Sequence, residues 1–176
     1  MKPLTATTHR SLAEIGSATW QAYFDQCEPF LSWPFLCGLE SSGCTTAQSG
    51  WQPAHIGFQQ DNALLGLVPA YLKTHSYGEY VFDWSWADAW QRMGLDYYPK
   101  LVTAIPFTPA TGQRFGYDQQ SNQNLEPMAV GVQALCKQLN VSSWHVLFIG
   151  ETESARLSEC GMPQRLTTQF HWFNRE

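Results

Sequence analysis

This 176-residue chain lacks most of the devices by which a sequence announces its chemistry. It has no Cys-x-x-Cys pair and no Cys/His cluster at zinc spacing, so no metal site is expected. No run approaches the roughly 18 apolar residues of a membrane-spanning helix. Residues 1–10 contain no apolar core of a signal peptide. Basic residues are scarce: ten Lys and Arg stand against fifteen Asp and Glu, for a net charge of −5. They form no run, so the chain gains nothing from generic attraction to a phosphate backbone and DNA is disfavoured as a partner. The Gly-x-Ser-x-Gly elbow, the P-loop and the dinucleotide fingerprint are all missing. Repeats, linkers and low-complexity segments are missing too. The five cysteines (Cys27, Cys37, Cys44, Cys136 and Cys160) are odd in number and widely spread. Reduced, mostly buried thiols in a cytoplasmic protein are the simplest account.

What the chain does have is apolar bulk. Hydrophobic residues make up 44% and aromatics 14%, with eight tryptophans, enough for the core of one ordinary domain. Leu4 to Ile15 can hold a first strand. Gly16-Ser17 then opens a helix, capped by Ser17, with Trp20, Tyr23, Phe24 and Cys27 on one face. Ser11-Leu12-Ala13-Glu14 reads as a capping box and offers an earlier start. Ser32 caps a second short helix that Gly43 closes. His55 to Phe58 and Leu64 to Leu72 read as two strands of a hairpin turning at Asp61-Asn62.

Further on, Trp84 to Met93 reads as a short helix ended by Gly94, and Leu101 to Pro106 as a buried strand. Leu125, Met128, Ala129, Val132, Leu135, Cys136 and Leu139 mark a long amphipathic helix. Trp144 to Ile149 is a strand, Glu153 to Cys160 a helix closed by Gly161, and Leu166 to Phe173 alternates as a final strand. A meander followed by a crossover predicts a mixed α/β (α+β) sheet.

Chemistry concentrates between His75 and Arg114, where aromatics, carboxylates, glycines and basic residues alternate without an apolar period. Glu79 and Asp83 are the acid/base candidates. If Tyr80-Val81-Phe82 is extended, the two carboxylates stand roughly 13 Å apart. That is too far for a glycosidase pair, which needs about 5 to 9.5 Å. One carboxylate acting as general base toward an amine is easier. His75 sits at the rim as a third catalytic candidate, whereas His145, inside a strand, reads as structural. Tyr97, Tyr98 and Lys100 form a possible binding edge of rings and an ammonium. Gly112 and Gly116 let the backbone approach an anion, and Arg114 adds a cationic fork.

The block Ser76-Tyr77-Gly78-Glu79-Tyr80-Val81-Phe82-Asp83, with Tyr97-Tyr98-Pro99-Lys100-Leu101 and Thr108-Pro109-Ala110-Thr111-Gly112-Gln113-Arg114, resembles the FemAB-like acyltransferases of bacteria. These are relatives of the GNAT fold, annotated for peptidoglycan biosynthesis or recognition. The resemblance implies a GNAT-like single domain over residues 1–176 that moves an acyl or aminoacyl group to an amine of a cell-wall precursor or peptide. It implies acyl-CoA or aminoacyl-tRNA as donor substrate and no tightly bound cofactor. Glu79, Asp83 or His75 would do the proton chemistry, with backbone N–H groups near Phe107 and Thr108 on the oxyanion. Thr108, Thr111, Gly112 and Arg114 would hold the donor, and Tyr80, Tyr97, Tyr98 and Lys100 the acceptor.

Of the GNAT loop pattern, Gln113 and Gly116 match, while Asp118 stands where Gly or Ala is usual. A carboxylate there would repel a pyrophosphate. Family members usually run about twice this length as two GNAT-like halves, so the chain is expected to be an N-terminal half, completed by a second half or by a homodimer. A glycan- or muropeptide-binding module without catalysis and a purely structural half are the other readings.

Overall fold

The computed structural model describes residues 4–24, 28–117 and 125–168, together with 170, 172, 173 and 175. Cys27, Asp118 and the expected helix start near Asn122 lie outside the described residues. The architecture is mixed α/β, built on two four-stranded sheets.

Strand β1 is Thr5–His9, and helices α1 (Leu12–Ile15) and α2 (Ser17–Phe24) follow. Both expected helix starts are therefore used. Ser11 is the N-cap of α1, and Gly16, at φ +86°, breaks the two helices apart. Ser17 is consequently the first residue of α2 and not its cap. After a 3-10 turn at Pro29–Leu31 comes α3 (Trp33–Ser41), with Ser32 at its N-cap.

The hairpin is longer and more bent than the sequence suggests. Strands β2 (Trp51–Pro53) and β3 (His55–Gln60) are separated only by Ala54, and β4 (Ala63–Val68) and β5 (Tyr71–Lys73) only by Pro69 and Ala70. Ala54 N–H donates to Ala70 C=O at 2.8 Å, so both arms bend at the same level and pass from one sheet to the other. Pro69 removes a ladder donor there, which is why Leu64 to Leu72 is not one strand. At the tip, Asp61 and Asn62 both have positive φ, the backbone of a type I′ turn.

Helix α4 (Trp84–Arg92), strands β6 (Lys100–Thr103) and β7 (Gly116–Tyr117), helix α5 (Leu125–Gln138), strand β8 (Trp144–Val146) and helix α6 (Glu151–Glu159) complete the described elements. The sheet orders are β1-β3-β4-β7 and β2-β5-β6-β8, antiparallel except for the parallel pair β6–β8. The expected last strand is absent among the described residues: Leu166, Phe170, Trp172 and Phe173 are exposed and irregular. Alternation alone cannot hold a strand without a neighbour to pair with.

Period-2 geometry sorts the core. Val68 joins Ile56, Phe58 and Leu101 in the cluster under α5, whereas Leu67 points the other way, to Leu12, Trp20, Phe24, Leu31 and Leu36 of the N-terminal helices. Of the cysteines, Cys37, Cys136 and Cys160 are half-buried and Cys44 is exposed in the loop after α3. The expectation of mostly buried thiols is corrected accordingly. No helix among the described residues is long and apolar enough to cross a membrane.

Candidate functional site

The site grows from the register of the second sheet. Trp51 of β2 lies opposite Lys73 of β5, and Lys73 opposite Lys100 of β6. On the other face of the same strands, Leu72, Leu101 and Trp144 pack into the α5 core. The row Trp51–Lys73–Lys100 therefore faces away from that core, and all three side chains are completely buried. Two buried lysines directly opposite each other cannot both stay charged without nearby anions.

Residues 75–83 supply them. Lys100 Nζ donates to Ser76 Oγ at 2.9 Å, to Glu79 Oε2 at 2.8 Å and to Asp83 Oδ2 at 2.5 Å. Tyr97 hydroxyl donates to the same Asp83 oxygen at 2.7 Å, and Tyr98 hydroxyl lies 2.8 Å from Ser76 Oγ. Of the expected site residues, Glu79, Asp83, Tyr97, Tyr98 and Lys100 thus converge. Residues 79–83 are not a strand, which corrects the roughly 13 Å separation inferred from extended geometry. Gly78 at φ +79° and Tyr80 at φ +57° fold the segment back, so both carboxylates reach one nitrogen. Their closeness removes the spacing argument against a glycosidase pair. Lys100 replaces it: an ammonium sits between the two carboxylates, where a sugar ring would have to lie.

Each carboxylate has spent only one oxygen. Glu79 Oε1 and Asp83 Oδ1 are buried and have no hydrogen-bond partner among the described residues. Leaving such an atom unpaired costs about 1–3 kcal/mol, so this segment carries an acceptor pair ready for a donor from outside. The two carboxyls are also tuned apart. Burial pushes Glu79 up, beyond the opposing pull of Lys100. Burial acts upward on Asp83 as well, but hydrogen bonds from Lys100, Ser76 and Tyr97 outweigh it and hold Asp83 below its ordinary value. The environment thus favours the ionised form at Asp83 and eases protonation at Glu79. Among the described residues no three His, Cys, Asp or Glu side chains converge as a metal site would require.

An aromatic rim surrounds the cluster. Tyr77, Tyr80, Phe82, Trp84 and Trp86 are each more than half exposed, and α4 buries no residue at all. Tyr77 and Phe82 approach Trp84, with ring centroids at 6.5 and 5.6 Å. His75 stands at this rim but not on the carboxylates. Its ring packs on Gly50, and its Nδ1 accepts the Tyr77 N–H at 3.2 Å. Burial, then Lys73, lower its pKa, which favours the neutral ring that accepts the Tyr77 N–H.

The expected donor loop is built differently from the sequence reading. Arg114 is wholly buried: Nε donates to Leu147 C=O at 3.0 Å, Nη1 to Glu28 Oε1 at 2.8 Å and Gln113 C=O at 2.7 Å, and Nη2 to Ala110 C=O. The fork expected to meet a phosphate is thus spent on the loop itself. The backbone donors are spent too. Glu153 of α6 accepts the N–H groups of Arg114 and Phe115 at 2.8 and 3.2 Å, so the chain's own carboxylate sits where an anion would. Burial pushes that carboxyl up to about 7. Gly112 is bonded through its N–H and C=O to Phe148 and Gly150, and a methyl group there would strike the Glu28 carboxylate. Thr108 N–H turns back to Ile105 C=O at 3.3 Å and its hydroxyl to Pro106 C=O, while Thr111 is exposed.

Sequence reasoning missed Lys73, Ser76, Glu153 and His55. Lys73 had a signal: it shares parity with Tyr71 on an apolar strand. His55 had none. It is buried, receives the Ala70 N–H on Nδ1 at 3.3 Å and donates from Nε2 to Glu40 at 2.8 Å, and Glu40 in turn accepts the Leu12 N–H at the start of α1. His145 is half-buried beside Tyr97, with a pKa lowered to about 4 by burial and then by Lys100.

No curated protein and no solved structure matches the chain. A family model described as FemAB-like, peptidoglycan biosynthesis/recognition, matches residues 11–176, essentially the whole chain. The mixed α/β architecture agrees with that family's kinship to the GNAT fold. The segments that carry the Lys100 cluster and its rim lie inside the matched range, and the chain belongs to the FemAB-like family of peptidoglycan biosynthesis or recognition.

Proposed function

We propose that the Lys100 cluster receives an amine of a cell-wall precursor or peptide and that an acyl or aminoacyl group is transferred to it there. The observation that carries this reading is the pair of buried, unpartnered oxygens on Glu79 and Asp83. An incoming ammonium is the natural donor for two such acceptors. Glu79 takes its proton, and the neutral amine then attacks the acyl carbonyl. A C–N bond forms as the C–O or C–S bond to the donor breaks; the attacking nitrogen gives its second proton to solvent, and the first passes from Glu79 to the leaving oxygen or sulfur. Asp83 stays ionised throughout, held by Lys100 and Tyr97. The donor, acyl-CoA or aminoacyl-tRNA, is held elsewhere than on Arg114, whose guanidinium is already engaged.

The test is transfer of a labelled acyl or aminoacyl group to a muropeptide bearing a free amine. Glu79→Gln should lower the rate by about 10²–10⁴ while the protein stays folded, the usual share of a general base. A Glu79→Gln protein with undiminished transfer would remove the carboxylate from the mechanism.

A second reading, a glycan- or muropeptide-binding module without catalysis, draws on the exposed rings at Tyr77, Tyr80, Phe82, Trp84 and Trp86. Exposed aromatic faces suit the apolar faces of sugars. Binding of muropeptide with no transfer from any donor favours it over the first.

A further inference from the structure

We propose that Lys73 is a reactive amine that forms imines with small neutral aldehydes, a carbonyl-binding site beneath the Tyr77–Gly78 turn and separate from the acyl-transfer reading. The placement argues for it first. Lys73 lies directly opposite Lys100 across the β5–β6 ladder, and Lys100 takes both carboxylates. Lys73 is left with no carboxylate partner among the described residues. Its Nζ rests 3.7 Å from the Trp51 ring centroid and donates to Tyr77 C=O at 3.2 Å. A lysine that is desolvated beside another fixed cation is held neutral, and a neutral amine is the form that attacks carbonyls.

The charged and titratable groups facing Lys73 are Lys100 from β6, and His75, Glu79 and Asp83 from the segment above. Burial dominates and, with Lys100, outweighs the pull of Glu79 and Asp83, lowering Lys73 to about 7. An ordinary lysine is neutral in only about one molecule in a few thousand at pH 7.

The step balances without an outside oxidant or reductant. The Nζ lone pair attacks the carbonyl carbon, and the C=O electrons move to oxygen. A proton moves from nitrogen to that oxygen, and the carbinolamine then takes up one more proton from solvent on its hydroxyl and loses water. The cationic imine then lies near the free oxygens of Glu79 and Asp83. Those same oxygens disfavour an anionic carbonyl compound, and the lid is apolar: the Phe107 ring packs on Gly78 and on Trp51. Trp51 Nε1 donates to the same Tyr77 carbonyl at 3.1 Å, so one peptide group covers the amine. Reaching the amine requires that turn, left-handed at Gly78 and Tyr80, to open.

The test uses the intact chain with acetaldehyde and cyanoborohydride, and peptide mapping locates the alkylated lysines. At pH 7, Lys73 should label on the order of tenfold or more faster than the exposed Lys137, with a rate midpoint near pH 7, where Lys137 should still be rising. Glyoxylate, an anionic aldehyde, should label Lys73 more slowly than acetaldehyde does. Labelling of Lys73 no faster than Lys137 at pH 7 overturns the proposal. Preference for glyoxylate overturns the neutral class of ligand.

Discussion

Two buried cations meet carboxylates in this molecule, and they are finished in opposite ways. Arg114 spends its guanidinium on three carbonyls and Glu28, and its neighbouring N–H groups on Glu153. Lys100 is surrounded just as closely, yet two carboxylate oxygens beside it remain unpartnered. The first cluster is closed and ties the loop after β6 to α6 and Glu28. The second is open toward an aromatic rim on a left-handed turn. Both cations are wholly buried, so saturation of hydrogen bonds is what separates the closed cluster from the one with acceptors to spare.

The largest effects should come from removing either cation. Lys100→Met strands two buried carboxylates and should cost about 3–5 kcal/mol of stability, measured by urea unfolding. Arg114→Met should cost a similar amount for the same reason. The contrast lies in Arg114→Lys: a lysine has no planar fork and cannot reach Leu147, Gln113, Ala110 and Glu28 together, so most of the loss should persist. Full stability in Arg114→Lys would show that the loop does not depend on the fork.

A smaller effect separates the clusters by pH. The Glu153 carboxyl is raised to about 7 in the folded chain from an ordinary 4.5. The folded state therefore holds the proton more tightly than the unfolded one. The resulting stability is complete below about pH 4.5 and is lost as pH rises through about 7. Glu153→Gln should flatten that slope in thermal melts taken from pH 4.5 to 7.5, and an unchanged slope would place its origin elsewhere. Smallest of all, Tyr80→Ser with Phe82→Ser should move stability by no more than about 0.5 kcal/mol, because both rings are exposed. The pair should still weaken muropeptide binding if the rim belongs to the open site.

Much of the fold was legible, because it rests on period and punctuation. The stripe from Leu125 to Leu135, the Asp61-Asn62 turn and the stop at Gly94 each follow from local chemistry. The residues of the open site were legible too, since a carboxylate pair and Tyr97-Tyr98-Pro99-Lys100 stand out in an apolar chain. Their arrangement was not. The left-handed conformation of Tyr80, which helps bring Glu79 and Asp83 to one nitrogen, is uncommon for a residue other than Gly, Asn or Asp and has no local signal in the sequence. The role of Arg114 was misread for a related reason. Exposed and buried arginines look alike in sequence, and the residues that absorb this one, Glu28 and Glu153, lie 86 and 39 positions away.

The most direct test of the open site is a calorimetric titration with a muropeptide that carries a free amine, set beside its N-acetylated form. Binding of the amine form that falls tenfold or more in Glu79→Gln, with the acetylated form binding weakly to both proteins, is the predicted result, about 1.4 kcal/mol at the carboxylate pair. Equal binding of the amine and acetylated forms, unaffected by Glu79→Gln, would contradict the account and leave the two free oxygens without a ligand.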